Sequence, residues 1–136
     1  MFPGAAGTLA GMLPGLLVFV GGGLGALSRW GLSGAVQALA ERTGMHRFPW
    51  GIAVCNLLGC LAIGAVFGWA AGRVKPEWLF PFLVTGFLGG FTTFSTFGKD
   101  THQLLVEGFN GFAVGNLLLS TIGGLALVFV GYRLAS

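Results

Sequence analysis

Residues 86–98 bring together glycines, hydroxyl groups and evenly spaced phenylalanines inside an apolar stretch long enough to cross a membrane. An aromatic ring carries a partial positive charge along its edge, so ring edges and hydroxyl donors can together contact a small anion. The side chains that fit this chemistry are Phe94, Ser95, Thr96 and Phe97. The alternative interpretation is that phenylalanines at helical spacing pack against lipid or a neighbouring helix.

Other polar residues also fall within apolar segments, and each has two interpretations. Asn56 either donates its amide hydrogens to an anion or bonds a neighbouring helix. Arg29 either extends its head group to the membrane surface or supplies a positive charge that concentrates anions. Asn116, Ser120 and Gly124 are spaced by four and share one helix face, which favours either packing or a polar pathway.

The sequence offers no catalytic or metal-ligating cluster. All four carboxylates fall in predicted loops, and His46 and His102 lie in different loops without ligands at metal-binding spacing. No serine or cysteine has a plausible base beside it. Cys55 and Cys60 would point roughly 140° apart on one helix, so we expect no disulfide between them. We predict that the chain is not an enzyme.

Composition places the chain in the membrane class. It has 136 residues, of which 54% are hydrophobic and only 8% charged, and the mean hydropathy is +0.86. The few basic residues form no patch with interleaved aromatics, which argues against nucleic-acid binding. Since a span needs about 20 apolar residues, we predict a single all-α membrane domain over residues 1–136. Its four spans are predicted at about 14–35, 50–72, 78–98 and 112–132.

The third predicted span is interrupted. Gly89 and Gly90 weaken its helix, and irregular backbone is tolerated in lipid only where protein buries it or where it lines a polar path. Residues 99–107 are predicted to connect this span to the fourth. Elsewhere glycines recur at four-residue spacing, as at Gly64 and Gly68, which predicts close packing of helix backbones.

Basic residues are balanced between the two ends of the predicted bundle. Three lie on the side of the N-terminus (Arg73, Lys75 and Arg133) and three on the opposite side (Arg42, Arg47 and Lys99). Because lysine and arginine in short loops set orientation, a chain without bias can insert both ways. The sequence therefore predicts an antiparallel, dual-topology homodimer with its two-fold axis in the membrane plane.

The predicted spans contain no carboxylate, which argues against proton-coupled antiport of the kind that small four-span multidrug transporters perform. Three classes remain open from the residues alone. They are an anion channel, a coupled transporter of small solutes, and a structural membrane subunit whose glycines and phenylalanines serve packing.

Three segments together resemble the Fluc or CrcB family of fluoride channels from bacteria and other microbes. Residues 22–30 resemble its glycine-rich first-span motif ending in Arg and an aromatic residue, and residues 51–59 resemble its Asn-x-x-Gly pattern. Residues 86–97 match its third-span signature almost letter for letter. The resemblance extends over nearly the whole chain.

The resemblance implies a homodimer that exports fluoride passively through two pores in the plasma (inner) membrane of a bacterium, relieving fluoride toxicity. By this analogy Phe94 and Phe97 contact the ion and Asn56 faces the same pathway. Ser95 and Thr96 would add polar contacts. The partners implied are fluoride, a second copy of the chain and the lipid bilayer.

The resemblance also implies a structural sodium ion that is not transported. Backbone carbonyls of Gly89 and Thr92, from both subunits, would hold it at the dimer centre. In the fourth span Ser120 matches the usual hydroxyl of the family, whereas Asn116 stands where many members have tyrosine.

Overall fold

All regular structure in the described part of the chain is helical. The computed structural model describes residues 5–136, with side chains from residue 11 onward. The helices are α1 (Ala5–Arg42), α2 (Trp50–Ala70), α3 (residues 79–91), α4 (Phe94–Val106) and α5 (Asn110–Ala135). Helix α3 consists of a π-helical stretch, Leu79–Leu88, followed by the α-helical turn Gly89–Phe91, and α5 contains a π-helical stretch at Leu119–Gly123. Four segments are long and apolar enough to cross a membrane, with α3 and α4 together forming the third, so the predicted all-α membrane protein is confirmed.

Two helices continue beyond the limits expected from hydropathy. Helix α1 extends to Arg42, and α4 includes most of residues 99–107, which were predicted to be a connection. That prediction is wrong because apolarity marks the part of a helix that lies in lipid, not the whole helix. Leu104 is buried and holds the end of α4 in place, and α4 stops just before Gly108, whose φ of 81° lies in the left-handed region.

The helices pack in two main pairs. Helix α1 lies along α3, while α2 lies along the second half of α5. In the second pair, a Cβ atom on Gly64 or Gly68 would clash with the backbone carbonyl of Val128 or Tyr132. The close backbone packing predicted from glycine spacing is therefore confirmed at these two positions.

The surface of the single chain exposes many large apolar side chains, and few polar side chains are buried among the described residues. Large side chains such as Phe19 and Trp30 are about four-fifths exposed, at 80% and 78%. Among the described residues, the buried polar side chains are Thr93 and Asn116. Both lie beside α4, so the polar interior of this protein is concentrated around the third membrane-spanning segment. The two cysteines, Cys55 and Cys60, are free thiols, as predicted.

Candidate functional site

The junction between α3 and α4 consists of two extended residues. Thr92 has φ −93° and ψ 157°, and Thr93 has φ −151° and ψ 116°. Gly89 and Gly90 are helical, so the prediction that the glycine pair interrupts the span is wrong in position. β-Branched threonine accepts the extended conformation readily. Gly90 instead permits close packing, because a Cβ there would clash with the carbonyl of Gly22 on α1.

The side-chain amide of Asn56 on α2 holds the backbone of this junction. Its Nδ2 donates to the carbonyl oxygen of Thr93 at 3.1 Å, and its Oδ1 accepts from the N–H of Thr93 at 2.8 Å. A primary amide both donates and accepts, so one side chain satisfies two backbone groups that have left the helical pattern. Of the two interpretations of Asn56, bonding to a neighbouring segment is the one that these contacts support directly.

The hydroxyl of Thr93 organises the start of α4. Its Oγ1 accepts from the N–H of Thr96 at 3.2 Å, which makes Thr93 the N-cap of α4. The same oxygen lies 3.2 Å from the hydroxyl of Ser95 and 3.1 Å from that of Thr96. Thr93 is not among the site residues predicted from the sequence. The preference of threonine for the N-cap position, three residues before Thr96, is the signal that would have found it.

The extended junction leaves the backbone carbonyls of residues 89–92 without their helical N–H partners, and for two of them the structure shows where the N–H donates instead. In a continuous helix the N–H of Thr93 would meet the carbonyl of Gly89, and the N–H of Thr96 would meet that of Thr92. Here the two N–H groups donate to Asn56 and to Thr93 instead. Freed carbonyl oxygens are ligands that suit a hard cation. Groups of three or more His, Cys, Asp or Glu side chains that could hold a metal do not occur in the described range.

Phe94 and Phe97 form a ring pair on the first turn of α4. Their centroids are 5.5 Å apart and their planes are inclined at 47°. Phe94 is 83% exposed in the single chain, whereas Phe97 is 8% exposed. Phe91 lies before the junction and stacks on Phe87 instead, with centroids 6.0 Å apart. The three-residue spacing of the phenylalanines therefore crosses the junction, and only the last two rings pair.

A cavity of about 350 Å³, here called the aromatic cavity, adjoins the two rings. Its walls include Phe94, Phe97, Asn56, Thr93 and Ser120. The hydroxyl oxygen of Ser120 is buried and has no hydrogen-bond partner among the described residues. The aromatic cavity is thus lined by two phenylalanines, an amide and hydroxyl-bearing residues within largely apolar walls. Ring edges, amides and hydroxyls are groups that can contact a small anion.

A second cavity of about 700 Å³, here called the polar cavity, lies beside α1, α4 and the loop between α1 and α2. Its lining includes Gln37, Thr96 and the ion pair between Lys99 and Asp100, whose charged atoms are 3.3 Å apart. Thr96 lines the polar cavity and Thr93 lines the aromatic cavity. Their two hydroxyls are in contact, so the threonine pair lies between the cavities.

The remaining predicted residues, Ser95, Asn116 and Arg29, line neither cavity. Ser95 is exposed, and its hydroxyl contacts Thr93. Asn116 is 2% exposed, does not line either cavity, and donates to the hydroxyl of Thr101 at 2.9 Å. Arg29 is half-buried on α1 and also lines neither cavity. The structure therefore brings together Asn56, Phe94, Phe97 and Ser120, and it adds Thr93 to them.

Comparison with known proteins assigns the chain to a family. The family described as CrcB-like protein, Camphor Resistance (CrcB), matches residues 16–132. Relatives named fluoride-specific ion channel FluC are 40% identical in Methylobacillus flagellatus, 41% in Beijerinckia indica subsp. indica and 38% in Pyrococcus horikoshii. The matches cover 88%, 90% and 88% of this chain and 91%, 96% and 93% of the relatives, respectively. Both the family match and these identities extend over most of the sequence, and the chain belongs to the CrcB family.

Proposed function

We propose that this chain is the subunit of a fluoride-selective channel that lets fluoride leave the cytoplasm passively. The choice of fluoride rests on family membership, because relatives about 40% identical over most of the chain carry that name. The family is one of ion channels, so the chain is not an enzyme. The four apolar helical segments make it a multi-pass membrane protein, and we place it in the plasma membrane of a bacterium.

The ion route in this proposal passes through the aromatic cavity. A dehydrated anion is costly to bury unless donors replace its water. The hydroxyl of Ser120, the second amide hydrogen of Asn56 and the ring edges of Phe94 and Phe97 are the groups that would do so. The contact between Thr93 and Thr96 supports a continuation toward the polar cavity, where water can rehydrate the ion.

Arg29 and Ser95 complete the proposed anion pathway at its edges. Arg29 is half-buried and forms no ion pair with a carboxylate of the described residues, so its positive charge is available to attract anions toward the membrane surface. Ser95 is exposed beside the ring pair, where its hydroxyl can donate to an ion or keep Thr93 in place.

We further propose that two chains assemble in opposite orientations. The balance of three basic residues on each side supports this, and so does Phe94, whose ring is 83% exposed although it borders the aromatic cavity. A second chain would cover that ring. The test uses Ser136→Cys and a membrane-impermeant thiol reagent on sealed vesicles, since Cys55 and Cys60 lie within α2. Labelling of about half the chains is expected, and labelling of all or none would contradict dual topology.

A structural sodium ion at the dimer centre is a separate part of the proposal. The carbonyls of Gly89 and Thr92 support it, because both have lost their helical hydrogen-bond donors and carbonyl oxygen suits a hard cation. Sodium would be coordinated by these oxygens and would not be transported. We expect the melting temperature of the purified protein to rise on replacing potassium with sodium. A melting temperature that is the same in both salts would contradict the site.

Passive export needs no energy source beyond the gradients already present. Neutral HF crosses lipid and ionises at the higher internal pH, which traps fluoride inside the cell. A channel would then release the anion, assisted by an inside-negative membrane potential worth about 2.3 kcal/mol per charge at 100 mV. This account explains how such a channel would relieve fluoride toxicity.

The decisive experiment is fluoride efflux from liposomes that contain the purified protein, with a potassium ionophore setting the voltage and chloride measured in parallel. We expect rapid, voltage-driven release of fluoride without chloride. Release that depends on a proton or sodium gradient would indicate a coupled transporter. No release of either ion would leave a structural membrane subunit as the better interpretation.

Two substitutions test the ring pair within the same assay. We expect Phe94→Ile and Phe97→Ile each to abolish fluoride release while the protein still purifies as a single species. Phe19→Ile is the matched control, because Phe19 is exposed on α1 and lies far from the junction in sequence. Normal conduction by both ring variants would show that the aromatic cavity is not the route.

A further inference from the structure

A chain of two hydrogen bonds links α5 to the backbone of Phe97. The amide of Asn116 donates to Oγ1 of Thr101 at 2.9 Å, and that hydroxyl donates to the carbonyl oxygen of Phe97 at 2.8 Å. Asn116 is 2% exposed, which makes it the most deeply buried polar side chain described. Its amide thus reaches the backbone of a ring that borders the aromatic cavity through a single intervening hydroxyl.

The roles of donor and acceptor in this chain are fixed by chemistry. A threonine hydroxyl has one hydrogen and two lone pairs. Thr101 gives its hydrogen to Phe97, so the contact with Asn116 must use a lone pair, which requires a donor such as the amide N–H. A buried polar group that loses its partner is costly. Replacing either side chain would therefore weaken the attachment of α4 to α5 at this point.

The same helix face carries a wall of the aromatic cavity. Ser120 follows Asn116 by four residues, about one turn of helix, and it lines the cavity together with Phe97. The position of α5 relative to α4 therefore determines how far Ser120 lies from Phe97. The hydrogen bond from Asn116 to Thr101 joins α5 to α4, although Asn116 does not line the cavity itself.

We propose that Asn116 is a positioning residue that acts through Thr101 to hold Phe97 and Ser120 at the spacing that fluoride requires. This inference rests on the proposed function, because fluoride is taken as the conducted ion. It differs from the interpretation in which Asn116 contacts the ion. In that case Thr101, which lines neither cavity, would have no part in conduction.

The test compares Asn116→Leu, Thr101→Val and the double variant by fluoride and chloride efflux from liposomes. We expect each single variant to slow fluoride release by roughly tenfold, the scale of a lost buried hydrogen bond, and to lower the fluoride-to-chloride ratio. The double variant should be no slower than the singles, because both substitutions break one chain. Thr101→Ser retains the hydroxyl and should conduct as the unmodified protein does.

A matched control is Thr43→Val, since the hydroxyl of Thr43 also donates to a backbone carbonyl four residues earlier, but Thr43 is exposed and lies just beyond the end of α1. It should leave both rates unchanged. Normal fluoride release by Thr101→Val together with slow release by Asn116→Leu would overturn the proposal in favour of direct ion contact. Slower release with an unchanged fluoride-to-chloride ratio would overturn it in favour of a packing role.

A failure of the proposed fluoride-channel function can be distinguished from a failure of the positioning role proposed for Asn116. If the unmodified protein releases no fluoride in the same liposomes, the proposed function is wrong. Thermal unfolding of the four variants then still reports the hydrogen-bond chain. Additive losses of melting temperature for Asn116→Leu and Thr101→Val would show that the two side chains act independently, which would overturn the positioning role whatever the ion.

Discussion

Helix α2 meets α5 and the junction between α3 and α4 in opposite ways. In the second half, Gly64 and Gly68 let the backbone of α5 approach until no side chain fits between the helices. In the first half, Asn56 reaches outward and bonds the backbone of Thr93. The first arrangement depends on the absence of side chains, whereas the second depends on one particular amide. The glycine contact therefore holds the helices together, and the amide contact shapes the proposed site.

The largest effect is expected where the glycine packing is broken. In Gly64→Leu the added side chain meets the backbone of Val128, which cannot move aside, so we expect a loss of more than about 3 kcal/mol in the free energy of unfolding. Thermal unfolding in detergent measures it. Gly111→Ala is the control, because nothing lies near that position, and equal stability of the two variants would contradict the comparison.

The second largest loss of stability is expected when the contact made by the Asn56 amide is broken. Asn56→Leu leaves the N–H and the carbonyl of Thr93 without partners, and we expect a loss of about 2–3 kcal/mol together with loss of fluoride efflux. Asn110→Leu, at an exposed position on α5, should change neither quantity. Full stability of Asn56→Leu would mean that the junction does not need the amide.

A smaller loss of stability is expected at Gly59, where a glycine of α2 packs against the junction residue Thr92. Gly59 faces Thr92 so closely that a Cβ would clash with the Cγ2 methyl group of the threonine. Gly59→Ala should therefore destabilise the protein by about 1–2 kcal/mol. Thr92→Ser removes that methyl group, so the double variant should recover most of the lost melting temperature. If the melting temperature of the double variant does not recover, the destabilisation by Gly59→Ala does not come from a clash with Thr92.

The smallest effect concerns the N-cap of α4. Thr93→Val keeps the β-branched shape but removes the oxygen that accepts from Thr96, for an expected cost of about 1 kcal/mol. Thr93→Ser should retain the cap. Thermal unfolding separates the two variants, and fluoride efflux should decline only in Thr93→Val. Identical behaviour of the valine and serine variants would show that the hydroxyl is dispensable.

Sequence alone predicted what depends on periodicity and composition. The four apolar segments follow from hydropathy, and the close approach at Gly64 and Gly68 follows from four-residue spacing. The ends of α1 and α4 were missed because polar residues continue a helix once it has left the membrane.

The details of the site were harder to predict from the sequence, because they depend on the hydrogen-bond partner of each polar group. The extended residues are Thr92 and Thr93, while the glycines before them remain helical. That choice follows from Asn56, which is 37 residues away from Thr93 in sequence. Single-sequence patterns do not pair such distant residues, so neither the hydrogen bonds between Asn56 and Thr93 nor the importance of Thr93 was predicted.

The junction at Thr92 and Thr93 has an electrostatic consequence. Helix α3 ends at Phe91 and α4 begins at Phe94, so a helix C-terminus and a helix N-terminus face each other across two residues. Helix macrodipoles place about half a negative charge at the first and about half a positive charge at the second. A cation at the carbonyls of α3 and an anion beside the first turn of α4 would each meet an end of opposite sign. One break in one helix thus gives a neutral peptide backbone two oppositely charged poles in the middle of a membrane.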